Sequence, residues 1–146
     1  RAFGLHKHVY GIGATYDGIL VADNTFHGDV FAYDWGNPGA STGRRHVYRN
    51  NHITGRFLNT GYFPCPLMQV VGNNITSTDR QLINTNLSIW RDNIVNTGDA
   101  GTVISNTSNG NSKNLVTGNY FSGSLTNQGG DGNRVVDNCI AGGNWA

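Results

Sequence analysis

One short phrase recurs six times along the chain and limits what it can fold into. Asp23-Asn24-Thr25-Phe26 returns as Asn50-Asn51-His52-Ile53, Gly72-Asn73-Asn74-Ile75, Asp92-Asn93-Ile94-Val95, Gly118-Asn119-Tyr120-Phe121 and Asp137-Asn138-Cys139-Ile140. Each copy places a small or polar residue before an Asn and an apolar residue two places after it. Three places before the Asn stands Val21, Tyr48, Val70, Trp90, Val116 or Val135. Successive Asn residues are 27, 22, 20, 26 and 19 positions apart. A unit of this length, with apolar positions flanking one turn residue, predicts a repeat solenoid. Asn tolerates the left-handed backbone region and hydrogen-bonds locally, so it is expected to form the bend itself.

Read forward from each Asn, the chain gives a short strand, a polar turn and a second apolar stretch. These stretches begin at Val30, Phe57, Gln81, Thr102 and Ser124. A third strand, such as Gln69-Val70-Val71 or Ser88-Ile89-Trp90, leads into the next Asn. Three short strands and three turns per coil predict an all-β, right-handed parallel β-helix of about six coils. Each strand then pairs with its counterpart one coil on, roughly 4.8 Å away. Apolar residues and corner amides should both stack into ladders. Composition agrees: all nine acidic residues are Asp, none is Glu, and 21 of 146 residues are Gly. Such residues suit turns and strands more than helices.

The phrase Val-x-[Gly/Asp]-Asn-x-Ile, over residues 18–140, resembles the parallel β-helix repeat of the pectate-lyase superfamily. That superfamily includes polysaccharide lyases, glycoside hydrolases, uronate epimerases and bacteriophage tailspikes. The resemblance implies the fold and leaves the chemistry open. Residues 1–146 are read as one β-helix domain. With Arg1 as first residue and no capping helix at either end, a segment of a longer or oligomeric protein, a homotrimer for instance, is expected. The formal net charge of +1 gives no electrostatic case for nucleic acid or an anionic membrane. No apolar run approaches the roughly 20 residues of a membrane span. Cys65 and Cys139 fall on different sides of the coil and are expected to be unpaired.

Function is expected in the turns. The turn between the short strand after each Asn and the apolar stretch that follows it carries Asp29, Arg56, Asp79 with Arg80, and Asp99. Stacked on adjacent coils (Asp79 with Asp99) or on alternate coils (Asp29 with Asp79), they would approach the roughly 5–10 Å carboxyl separations of glycoside hydrolases. The bland alternative is an alternating column of ion pairs, Asp29–Arg56–Asp79, in which Arg lowers the carboxyl pKa and spoils it as a general acid. A lyase or epimerase would instead use cations and a base, for which Arg44, Arg45 and His46 at the foot of the long loop 34–45 are candidates. Trp35 and Tyr62, with the polar column Asn59 and Asn84, are candidates for stacking on and hydrogen-bonding to a sugar. His27 and His52, on successive coils, lack a third ligand for zinc. No cofactor is required, although stacked Asp oxygens can hold calcium.

The resemblance, taken with these candidate residues, therefore implies an extracellular or virion-associated protein that binds polysaccharide, in the manner of a tailspike, and degrades it as a hydrolase or lyase if it is an enzyme. A non-catalytic structural shaft and a secreted lyase or epimerase fragment are the alternatives.

Overall fold

The computed structural model describes residues 3–7, 18–34, 45–58, 67–83, 85, 87–104, 113–128 and 132–141. Strand β1 (Phe3–Lys7) comes first. The first winding then holds β2 (Leu20–Ala22), β3 (Thr25–His27) and β4 (Val30–Asp34). The second holds β5 (Val47–Arg49), β6 (His52–Thr54) and β7 (Phe57–Leu58). The third holds β8 (Gln69–Val71), β9 (Asn74–Thr76) and β10 (Gln81–Ile83). The fourth holds β11 (Ile89–Arg91), β12 (Ile94–Asn96) and β13 (Thr102–Ile104). Then follow β14 (Leu115–Thr117), β15 (Tyr120–Phe121), β16 (Leu125–Asn127), β17 (Arg134–Val136) and β18 (Cys139–Ile140). The only helical element among the described residues is a 3-10 turn at Gly98–Ala100.

Every strand pairing is parallel and joins one winding to the next. A first sheet runs β2-β5-β8-β11-β14-β17 and a second runs β3-β6-β9-β12-β15-β18. The protein is thus an all-β parallel solenoid. The third side is more broken than six continuous coils would give. It consists of two three-stranded sheets, β1-β4-β7 and β10-β13-β16, so hydrogen-bonded continuity on that side runs for three windings at a time.

The break between β7 and β10 is spanned by a side chain. The Gln81 amide accepts the Phe57 N–H through Oε1 at 2.9 Å and donates through Nε2 to the Phe57 carbonyl. Gln81 is fully buried, and its amide performs there what a backbone rung performs elsewhere.

The middle residue of each strand in the first two sheets points inward, as strand alternation requires. Tyr48, Val70, Trp90 and Val116 stack in one column, and Ile53, Ile75, Val95 and Phe121 in the other, all at most 1% exposed. The end rungs Val21, Phe26, Val135 and Ile140 are only partly buried. Phe57 from the third side packs edge-on against Tyr48, 4.7 Å between centroids, and Trp90, 5.5 Å away. Burying each such ring contributes about 1.5–3 kcal/mol, and the edge-to-face geometry adds to it.

The corners correct one expectation. The left-handed residue is the one before the Asn. Asp23, Asn50, Gly72, Asp92, Gly118 and Asp137 all have φ between 54° and 65°. The Asn that follows has a different task. Asn51 Oδ1 accepts the N–H and the Nδ2 of Asn24. Asn73, Asn93, Asn119 and Asn138 repeat this toward the preceding Asn, at 2.8–3.0 Å. Each Nδ2 also donates to a carbonyl of the preceding winding, Asn73 to Tyr48 and Asn93 to Val70 for example. At the left-handed position Asp92 Oδ1 lies over Gly118, where a Cβ would come within 2.7 Å of it and displace that exposed carboxylate, and the positive φ itself also favours Gly.

Candidate functional site

The corner between the second and third sides changes length from winding to winding. Two residues turn it after β3 (Gly28-Asp29) and after β6 (Gly55-Arg56). Four turn it after β9 (77–80), and five after β12 (97–101). Two long turns beside two tight ones leave an open groove of about 750 Å³. Thr54, Thr76 and Asn96 form one wall. They are the outward third residues of β6, β9 and β12, aligned by register. Gly28, Gly55 and Ser77 line it at the corner, and Asp29, Thr78, Asp79, Asp99 and Ala100 complete it. Gly55 is obligatory there, because a Cβ would collide with the backbone of Gly28 and Asp29.

The structure thus brings the three candidate acids into one groove but gives them different surroundings. Asp29 is saturated. Its Oδ1 accepts the Arg56 backbone N–H at 2.8 Å, and its Oδ2 accepts Arg56 Nε and Nη2 at 3.2 and 2.7 Å. Burial pushes the Asp29 carboxyl up, but the Arg56 hydrogen bonds and charge outweigh it, and its pKa lies below the ordinary value. The hydrogen bond to Asp29 raises the pKa of Arg56 in return. A carboxylate held ionised in this way clamps two windings together and is unsuited to donating a proton. Asp79 touches the same guanidinium loosely, Oδ2 to Nε at 3.8 Å, and is mostly exposed. The alternating Asp29–Arg56–Asp79 column therefore exists, tight at one end and loose at the other.

Strict stacking of the acids does not hold. Gln81 pairs with Thr102, which sets Arg80 beside Gly101 and leaves Asp79 and Asp99 on the bulged parts of their turns. Asp99 sits in the 3-10 turn, and no cation pairs with it among the described residues. Arg80 lies alongside, its Nε donating to the Ala100 carbonyl at 3.4 Å. Thr97 also lines the groove although only 2% exposed, and its hydroxyl has no hydrogen-bond partner among the described residues.

The other candidates do not join this site. Arg45 and His46 stand at the corner leading into the first sheet. Arg45 is exposed at φ 56°. His46 is buried, and its Nδ1 accepts the Ile19 N–H at 3.2 Å. It is a rung of a second side-chain ladder, in which Ser88 Oγ accepts from Met68 N–H, Asn114 Oδ1 from Ser88 and Asn133 Oδ1 from Asn114. Trp35, Arg44, Asn59, Tyr62 and Asn84, and with them the groove expected between the long loops, lie outside the described residues. His27 and His52 are not register partners. His52 pairs with Thr25, and His27 Nδ1 lies 3.3 Å from Thr54 Oγ1. Among the described residues no three His, Cys, Asp or Glu side chains are grouped to hold a metal, and Cys139 is a free thiol.

Sequence reasoning overlooked the wall of Thr54, Thr76 and Asn96. They occupy the third position after each corner Asn, so extending the alternation by one residue marks them as outward and aligned. Gln81 carries no comparable signal. No protein-family model, curated protein or solved structure matches the chain, so the parallel-solenoid assignment stands on register and ladders alone.

Proposed function

We propose that the protein is an extracellular or virion-surface solenoid that binds polysaccharide along the corner groove. The groove itself carries this reading: it is open, crosses successive windings, and is lined by Thr54, Thr76, Ser77, Thr78 and Asn96 together with carboxylates. Hydroxyl and amide groups at a rung spacing of roughly 4.8 Å suit a chain of sugar hydroxyls. The tailspike setting rests on the resemblance of the repeated phrase, as does the expectation of a homotrimer. If the bound chain is also cleaved, Asp79 and Asp99 are the pair to carry it, since Arg56 occupies Asp29. Retardation of the protein in gels containing polysaccharide tests binding. Reducing-end release, and absorbance at 235 nm for an unsaturated lyase product, test cleavage. Release that persists unchanged in Asp79→Asn and Asp99→Asn rejects those two acids as catalytic residues.

A structural shaft is favoured by a different observation. Leu20, Leu67 and Leu87 are 59%, 43% and 47% exposed, on or beside the outward face of the first sheet. Leu67 and Leu87 also hold φ of 60° and 52°, a costly conformation for a branched side chain. On this reading subunits pack through that face. Sedimentation should then show an oligomer that Leu67→Asp with Leu87→Asp dissociates; a monomeric parent protein rejects it.

A further inference from the structure

We propose that the groove selects a glycan free of carboxylates, an uncharged polysaccharide, and turns uronate polymers away. This rests on the reading of the groove as a polysaccharide site and adds the class of sugar. Three carboxylates, Asp29, Asp79 and Asp99, lie on the groove lining, and among the described residues no guanidinium or ammonium group does. Of the nearest cations, Arg56 is paired with acids and Arg80 is not. Arg56 gives Nε and Nη2 to Asp29 and faces Asp79 at 3.8 Å. Arg80 is drawn to the Ala100 carbonyl.

A uronate chain carries one negative charge per sugar, and each must find a cation or leave the acid opposite it unneutralised. Here the incoming charges would meet Asp79 and Asp99 with Arg80 as the one nearby guanidinium not paired with an acid, so carboxylates outnumber cations and repulsion between like charges opposes binding. For an uncharged glycan the same two carboxylates are assets. They accept hydrogen bonds from neighbouring sugar hydroxyls, and bonds to an ionised acceptor are roughly twice as strong as neutral ones. The hydroxyls and amides of Thr76, Thr78 and Asn96 complete a surface that both donates and accepts.

The test is affinity electrophoresis of the whole chain in gels containing either uncharged polymers (dextran, laminarin, galactomannan and xylan) or uronate polymers (polygalacturonate and alginate), each at low and high salt. At least one uncharged polymer should retard the protein, with the uronates weaker by about tenfold or more at low salt, where screening is least. The Asp79→Asn, Asp99→Asn double variant should lose retardation by the uncharged polymer and bind uronates no worse than the parent. Uronate binding stronger than uncharged binding, altered by that double variant, overturns the selectivity while leaving the groove as the glycan site. Binding of neither class, or binding that the double variant leaves unchanged for every polymer, overturns the groove reading and the selectivity with it.

Discussion

Asn93 takes part in three windings. Its Oδ1 accepts the N–H and Nδ2 of Asn73 at 2.9 and 3.0 Å, while its Nδ2 donates to the Val70 carbonyl and to Asn119 Oδ1 at 2.9 and 2.8 Å. Asn93→Ala strands the buried Asn73 N–H, at a cost of about 1–3 kcal/mol, and also removes the side-chain bonds to Asn73 Nδ2, the Val70 carbonyl and Asn119 Oδ1. A loss of about 3 kcal/mol in urea unfolding is expected, and a loss below about 1 kcal/mol would show that the ladder is ornamental. Asn93→Asp keeps the acceptor but loses both donations, so it should be nearly as damaging. Asp29 makes a pH prediction. Its folded pKa is depressed, so its stabilisation is present above the ordinary carboxyl pKa and is lost as pH falls through the lower folded value. Asp29→Asn should cost on the order of 1 kcal/mol at pH 7, allowing for partial exposure. That gap should shrink steadily as pH is lowered from about 4. A gap constant through the acid range contradicts the clamp. The sequence shows the two corner positions side by side without saying which bends. Position −1 admits only Asp, Asn and Gly, the mark of a left-handed residue, whereas the constant Asn reflects a ladder that needs donor and acceptor on one short side chain.

Among the elements, the third side holds the weakest joint. β7 and β10 share no backbone rung, and Gln81 alone satisfies both polar groups of Phe57. Gln81→Leu fills similar volume but leaves both groups unpaired, and should cost about 2–4 kcal/mol by chemical denaturation. Gln81→Glu can keep both bonds while protonated and only the acceptor once ionised, so it should lie closest to the parent at low pH and lose stability as pH rises. Equal stability of all three proteins would mean that the joint is held by something else. Gly55→Ala places a methyl group against the Gly28 carbonyl and should destabilise by more than the few tenths of a kcal/mol usual at an exposed turn. Element boundaries on the first two sides were legible because apolar residues at −3 and +2 fix the inward register. The third side lacks such an anchor: a buried Gln where others have Val30 or Phe57 reads as an ordinary strand residue, and its break is invisible in the sequence. Turn lengths were legible too, but the bulges that carry Asp79 and Asp99 out of register depend on where β10 and β13 begin pairing.

At the scale of the molecule, each winding rests on its neighbours, and the stacked columns form the core of the described residues. Stability is therefore expected to spread along the stack as contributions of single windings and their interfaces. The partly buried end rungs Val21, Phe26, Val135 and Ile140 should exchange amide hydrogens sooner than the middle ones. The groove depends on the same stacking, since its lining comes from four successive windings. What the sequence revealed of it was the acids; what it concealed was that Arg56 binds one of them and that the outward Thr and Asn column faces them. The most direct test of the stacking is the distance between spin labels at Leu20 and Arg134, outward residues of the first and last strands of the six-stranded first sheet. Five rungs of about 4.8 Å predict a narrow distribution near 24 Å between positions more than a hundred residues apart in sequence. A broad distribution, or one centred beyond about 35 Å, would contradict a solenoid in which one parallel strand of each winding lies upon the last.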